Sequence, residues 1–377
     1  MSNKVPQLRF NGYSDAWVQR KAKDLFIPVN ERNREDLPVL SVTQDQGVVF
    51  RNDLAIDIKY DESTLSSYKV IHPGDFIISL RSFQGGFELS NVLGISSPAY
   101  TIFDFAVPAE QDKLYWKTIF KTFKFIESLK TVTFGIRDGK SISFKEFGDL
   151  KLNYPSDVNE QRRIGEFFAK LDETIAANQR KLDLLKEQKK GYLQKMFPKN
   201  GEKVPELRFA GVAYNWENRK FKDILKTHSF RSYLAGVSEN GEYEVIQQGD
   251  KPIVGYSDGE PFTDYKDVTL FGDHTVSLYK PKSPFFVATD GVKILSADNF
   301  EGNYLHTTLE RYKPEPQGYK RHFTILKNQD VWFTENMEEQ QKIGSFFKQL
   351  DETIDLHQRK LDLLKEQKKG FLQKMFV

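Results

Sequence analysis

Cysteine is absent from the sequence, which excludes disulfides, thiolate metal sites and cysteine nucleophiles. No stretch approaches the roughly 18 to 20 apolar residues that cross a bilayer, and the N-terminus lacks the basic-then-apolar pattern of a secretory leader. The glycosylation pattern N-x-[ST] is missing too. The expectation is a cytoplasmic protein without membrane contact. Catalytic signatures are as scarce. GIRDGKS (Gly135–Ser141) has three residues between its glycines, where a phosphate loop needs four. There is neither a G-x-G-x-x-G fingerprint nor a methyltransferase-type Asn-Pro-Pro-Tyr. The acid-x-Lys of Glu187–Lys189 and Glu366–Lys368 reads as ordinary helix surface. Six histidines (His72, His228, His274, His306, His322, His357) show no metal-type spacing. These absences favour a binding or assembly protein over an enzyme.

Charge of either sign is not in excess: net charge is +2 over 377 residues. It is unevenly spread. Residues 113–145 hold eight Lys or Arg against Glu127 and Asp138, and residues 311–327 hold five against Glu315. Such runs are usually solvated faces, but both precede a copy of a repeated segment. The length exceeds one ordinary core, and two domains are expected.

The repeat is the strongest feature. QRKLDLLKEQKKG occurs unchanged at Gln179–Gly191 and Gln358–Gly370. It lies within a gap-free match of Asn159–Phe197 to Glu338–Phe376. A shorter match opens each half, VPQLRF at Val5 and VPELRF at Val204. The chain is a tandem of two units, each a variable region followed by a constant one. The boundaries fall at 1–158 and 199–337 for the variable domains, and at 159–198 and 338–377 for the constant segments.

The constant segments carry a heptad ladder, the pattern of a helix with one apolar seam. The first runs Ile164, Phe168, Leu171, Ile175, Asn178, Leu182, Leu185; the second runs Ile343, Phe347, Leu350, Ile354, His357, Leu361, Leu364. A seam needs a partner, and the other copy supplies it. Since only Pro198–Lys203 separates the first helix from the second domain, the second helix must run back. An antiparallel coiled coil is expected, with Asn178 and His357 as polar core positions that fix register. Lys189 and Lys368 are expected to snorkel at the helix ends. The variable regions read as mixed α/β or mostly β: Val70–Leu80 and His274–Lys280 alternate like strands, and Asp112–Leu129 reads as one amphipathic helix. The fold class is therefore α+β, two mixed α/β domains in tandem separated by two long helices.

Two variable domains, each followed by a helix that begins with an acid-Gln pair (Glu160-Gln161, Glu339-Gln340) and contains LDETI and LLKEQKKG, resemble the specificity subunit of a type I restriction–modification system. The resemblance covers the whole chain, with further matches at PGDF, GISSPAY (Gly94–Tyr100) and FGDHT (Phe271–Thr275). It implies a non-catalytic, sequence-specific DNA-binding subunit whose target-recognition domains each read one half of a bipartite site in double-stranded DNA. It also implies two modification subunits carrying S-adenosylmethionine for adenine methylation, which restriction subunits using ATP and Mg can join. No cofactor is expected on this chain.

Helix length is compatible with that reading. From Ile164 to Met196 spans about 48 Å at roughly 1.5 Å per residue, on the order of 14 base pairs of B-DNA. Base contacts are expected from polar side chains beside glycines and cations. In domain one these are Arg81, Ser82 and Gln84, with Arg137, Lys140 and Ser141. In domain two they are Gln247, Gln248, Lys320, Arg321 and His322. The competing class is a coiled-coil scaffold that joins proteins and touches no DNA. A third reading is an enzyme with an unrecognised site.

Overall fold

The computed structural model describes residues 5–43, 46–54, 62–79, 86–132, 142–199, 201–211, 214–318 and 320–377. The chain divides into two compact units, Met1–Ala177 with Leu361–Val377, and Asn178–Lys360. Each unit therefore owns a domain, the early part of one long helix and the late part of the other.

The first unit runs β1 (Val18–Lys21), β2 (Phe26–Val29), β3 (Leu40–Thr43), β4 (Gly47–Phe50), β5 (Lys69–Ile71), β6 (Phe76–Ile78), β7 (Phe87–Leu89), β8 (Gly94–Ser96) and β9 (Thr101–Phe105), then α1 (Lys113–Ile119), α2 (Phe123–Leu129), α3 (Phe144–Gly148), β10 (Lys151–Tyr154) and the long α4 (Val158–Lys195). Its main sheet is antiparallel, in the order β2-β9-β6-β7, while β1 and β10 form a separate ribbon. The core is aromatic: Phe26, Phe76, Phe87, Phe103, Phe120 and Phe147 are buried, their rings packing mostly edge-on or tilted, with Phe76 stacked on Phe103.

The second unit runs β11 (Glu217–Lys220), β12 (Leu225–His228), β13 (Tyr243–Ile246), β14 (Ile253–Ser257), β15 (Thr269–Gly272), β16 (Leu278–Tyr279), β17 (Phe285–Val287) and β18 (Val292–Ala297), then α5 (Gly302–Tyr312), α6 (His322–Asn328), β19 (Asp330–Phe333) and the long α7 (Met337–Lys374). Four strands form an antiparallel sheet, β12-β18-β15-β16; three form a mixed sheet, β14-β13-β17, in which β13 and β17 are parallel. The ribbon β11-β19 matches β1-β10 of the first unit in kind and in register length.

Three elements differ from the sequence reading. Val70–Leu80 is not one strand, because Pro73-Gly74 makes a turn, with Gly74 at φ +97°, between β5 and β6. His274–Lys280 contributes only β16; Asp273–Thr275 turn and Val276 sits at φ +58°. Asp112–Leu129 is two helices. Thr122 ends the first by donating to Ile119 O (2.7 Å) and starts the second by accepting from Phe125 N–H (3.2 Å), as a hydroxyl at an N-cap does.

Where each long helix begins, the two units are built alike. Arg9 grips Glu160 with two hydrogen bonds (2.6 and 2.7 Å), and Arg208 grips Glu339 the same way (2.6 and 2.9 Å). Both carboxylates are buried, where only a paired charge is tolerated. The adjacent Gln161 accepts from Asp112 N–H and donates to Pro155 O; Gln340 accepts from Glu301 N–H and donates to Thr334 O. The acid-Gln pair thus fastens the helix start to the domain. One turn on, a side chain on Gly165 would come within 2.5 Å of Tyr115 N, and one on Gly344 within 2.7 Å of Tyr304 N. Glycine is what lets α4 and α7 approach α1 and α5 this closely.

The far end of the repeat is a plug. Phe376 is buried in the first unit against Trp17 (ring centroids 6.1 Å, 79°) and Tyr115 (5.8 Å). Phe197 is buried in the second against Trp216 (5.3 Å, 83°) and Tyr304 (6.2 Å, 8°). The repeat extends through Met-Phe because those residues complete each domain's core.

Candidate nucleic-acid interface

Burial along α4 and α7 follows the heptad stripe. Ile164, Phe168, Leu182, Leu185, Ile343, Phe347 and Leu361 are buried, and Leu171, Ile175, Asn178, Leu350, Ile354, His357 and Leu364 are half-buried. In the first unit Phe167 meets Phe371 edge-on (5.1 Å) and Asp172 pairs with Lys368. In the second, Tyr192 meets Phe346 (5.1 Å) and Lys189 meets Asp351 (2.6 Å). Within either unit, then, the early part of one helix runs antiparallel to the late part of the other. Asn178 and His357 lie in the second unit, and His357 Nδ1 is buried with no hydrogen-bond partner among the described residues.

Lys368 keeps its ammonium at the surface, as expected, but Lys189 does not snorkel. Lys368 bonds Asp172, and Lys189 is nearly enclosed, with its ammonium 2.7 Å from Glu310 Oε1 and 2.6 Å from Asp351 Oδ1. His306 joins this group: a ligand-type atom from each of His306, Glu310 and Asp351 lies within 4.8 Å of the others. Histidine spacing alone did not reveal the cluster; the His306–Glu310 step along α5 was the available signal. The single ammonium offsets part of the charge of the two carboxylates. Burial and the cations Lys189, Lys280 and Lys313 hold the His306 pKa down to about 3. Burial raises that of Asp351, and at Lys189 the two carboxylates outweigh burial and raise its pKa.

The basic stretch of the first unit is partly internal. Lys113 bonds Asp104 and Gly74 O, Lys121 bonds Glu88, and Lys124 donates to Phe376 O (2.8 Å). These lysines hold the domain together. The residues expected to touch DNA in this unit, Arg81, Ser82, Gln84, Arg137, Lys140 and Ser141, lie outside the described residues.

In the second unit the expected residues separate. Gln247 donates to Lys251 O (3.2 Å), and Gln248 accepts from His274 N–H (2.9 Å), so both shape turns. Lys320 is exposed and donates to Gln317 Oε1 (3.2 Å). His322, expected among the DNA contacts, is fully buried. Its Nε2 accepts from Gln317 N–H (2.8 Å) and Nδ1 lies 3.1 Å from Asp273 O. That leaves the ring the Nδ1–H tautomer, and its role is to pin α6 and the preceding loop to Asp273.

Arg321 faces a cleft of about 490 Å³ lined also by Phe230, Arg231, Asp273, Lys293 and Phe323, with hydroxyls from Thr227, Ser229 and Thr324. Asp273 is spent inside the fold: Oδ1 accepts from Phe323 N–H (2.8 Å) and Oδ2 lies 3.8 Å from Lys293 Nζ. Lys293 also donates to Asp290 O and sits 5.7 Å over the Phe230 ring. Sequence reasoning passed over Phe230, Arg231 and Lys293; the aromatic–cation run SFRSY (Ser229–Tyr233) was the signal.

Residues 214–366 match the family described as the type I restriction modification DNA specificity domain. No curated protein matches the sequence. Among solved structures, the type I restriction-modification S subunit from M. genitalium shares the fold at TM-score 0.69 and 16% identity, over 99% of each chain. A structure described as underlying complex assembly and conformational transition of the type I R-M system matches at TM-score 0.50 and 13% identity, over 96% of this chain and 97% of that one. The HsdS subunit from Thermoanaerobacter tengcongensis aligns at TM-score 0.42 and 15% identity, over 97% and 98%.

Proposed function

We infer, for a chain whose second unit is a type I restriction–modification DNA specificity domain, that the whole molecule is the sequence-reading subunit of such a system. It is a non-catalytic DNA-recognition protein. The observation that carries the inference to the first unit is the duplicated frame. The same Arg–Glu grip, Gln hydrogen bonds, glycine contact and aromatic plug recur in both units, so both domains are mounted identically while their exposed faces differ.

Each domain reads one half of a bipartite duplex site, and the helices set the gap, with Asn178 and His357 fixing their register. Two modification subunits bearing S-adenosylmethionine dock on the outer helix faces, and restriction subunits using ATP and Mg join them in the cytoplasm. Leu184 and Leu363 hold corresponding places in the repeat and are 51% and 55% exposed. Large apolar side chains at matching exposed positions suit two copies of one partner. Among the described residues no helix is long and apolar enough to cross a membrane.

The test is selection of binding sites from random duplex DNA by the chain assembled with its modification subunits, at 50 and 200 mM salt. A split consensus whose affinity falls steeply with salt is expected. Recovery of no consensus, with salt-independent binding, would leave the protein-joining scaffold as the better reading.

A further inference from the structure

The cleft beside α6 combines features that the fold itself does not use. Arg231 and Arg321 are exposed on its rim, and neither guanidinium has a hydrogen-bond or ion-pair partner among the described residues. The single acid in the wall, Asp273, is buried and already serves Phe323 N–H and Lys293. The cleft therefore presents uncompensated positive charge. Phe230 and Phe323 supply half-buried aromatic surface, and Thr227, Ser229 and Thr324 supply hydroxyls. The loop carrying Arg321 is fixed by the buried His322, through Asp273 O and Gln317 N–H.

Shape decides what such a surface receives. A side chain that reads base edges must project into a groove, whereas a concave, cationic surface accepts the convex sugar–phosphate ridge. We propose that this cleft seats the sugar–phosphate strand of the half-site read by the second unit, with a phosphate between Arg231 and Arg321 and deoxyribose against Phe230 and Phe323. The proposal rests on the DNA-reading function above and makes these residues positioning contacts that carry affinity and register.

The experiment uses the chain assembled with its modification subunits and a duplex carrying its split site, read by fluorescence anisotropy across a salt series. Arg231→Ala and Arg321→Ala are each expected to weaken binding about eightfold at 100 mM salt and to reduce the salt slope by about 0.9. Preference at both half-sites stays unchanged, and Arg321→Lys retains the slope. Replacing phosphates of that half-site one at a time by neutral methylphosphonate should weaken the unmodified protein at one position, where Arg321→Ala shows no further loss. Unchanged affinity and slope in both alanine variants would overturn the proposal. So would relaxed preference at one base pair with an unchanged slope, which would make Arg321 a base reader. Failure of the unmodified assembly to bind any DNA would instead sink the DNA-reading function.

Discussion

Lys189 and Lys368 occupy the same place in two copies of one sequence, yet their surroundings differ. Lys368 spans to Asp172 at the surface of the first unit, with its side chain 29% exposed. Lys189 is 13% exposed and lies between Asp351 and Glu310. The helix contributes the lysine and the aspartate in both units; the variable domain contributes Glu310 in one. The same division holds throughout. The constant helices supply one half of the grip, the glycine approach and the plug, each domain supplies the matching residue in the same way, and the remaining variable sequence decides what surrounds them. Separating frame from face lets the exposed surfaces diverge without loss of the mounting.

The largest effect should come from breaking the plug. Phe197→Ala and Phe376→Ala each remove a buried ring, at about 3–5 kcal/mol. Hydrogen exchange resolved by peptide should show the second unit weakened by the first change and the first unit by the second. If Phe376→Ala weakened the second unit instead, the assignment of the C-terminal segment would be wrong. Similar in size is the grip: Arg9→Met or Arg208→Met leaves a carboxylate buried and unpaired, at about 3–5 kcal/mol. Thermal unfolding should show comparable losses for the two, since the geometry is duplicated.

Acid sharpens the contrast. The pKa of His306 is held at about 3, so below its ordinary value near 6.5 the unfolded chain binds a proton that the folded second unit refuses. Stability of that unit should fall by up to about 1.4 kcal/mol per pH unit between about 6.5 and 3. Burial raises the pKa values of Asp75 and Glu88 in the first unit and of Asp351 in the second; these contributions are full at low pH and lost as pH rises through the raised values, and only the second unit adds the opposing histidine. On acidification the second unit should open first, and His306→Leu should narrow the difference. Opening of the first unit ahead of the second would contradict this. A smaller effect is expected at the exposed leucines: Leu184→Glu together with Leu363→Glu should leave unfolding unchanged while weakening assembly with modification subunits about tenfold or more, measured by sedimentation.

Legibility in the sequence followed the same division. The tandem order, both long helices and their seams could be read because repetition and heptad spacing are periodic signals. The role of Phe197 and Phe376 could not, because a Met-Phe at a helix end carries no mark of the distant Trp and Tyr it will meet. The interrupted strand at Val70–Leu80 and the break at Thr122 were hidden by apolar residues that fit either reading; a Pro-Gly turn and a hydroxyl cap decided them. Among the candidate contacts, the residue beside Arg321 misled most. His322 looked like a contact, but its ring lies inside the fold, where it positions the arginine's loop. Arg231 and Lys293 reach the same cleft from distant segments, a convergence that spacing does not encode.

On the proposed function, one chain carries two separate reading faces on one duplicated frame. The most direct measurement is a genome-wide map of N6-methyladenine, with this gene intact and with it deleted, in cells expressing the modification subunits. The account predicts that one split motif, and both of its halves together, disappears on deletion. An unchanged map would contradict it.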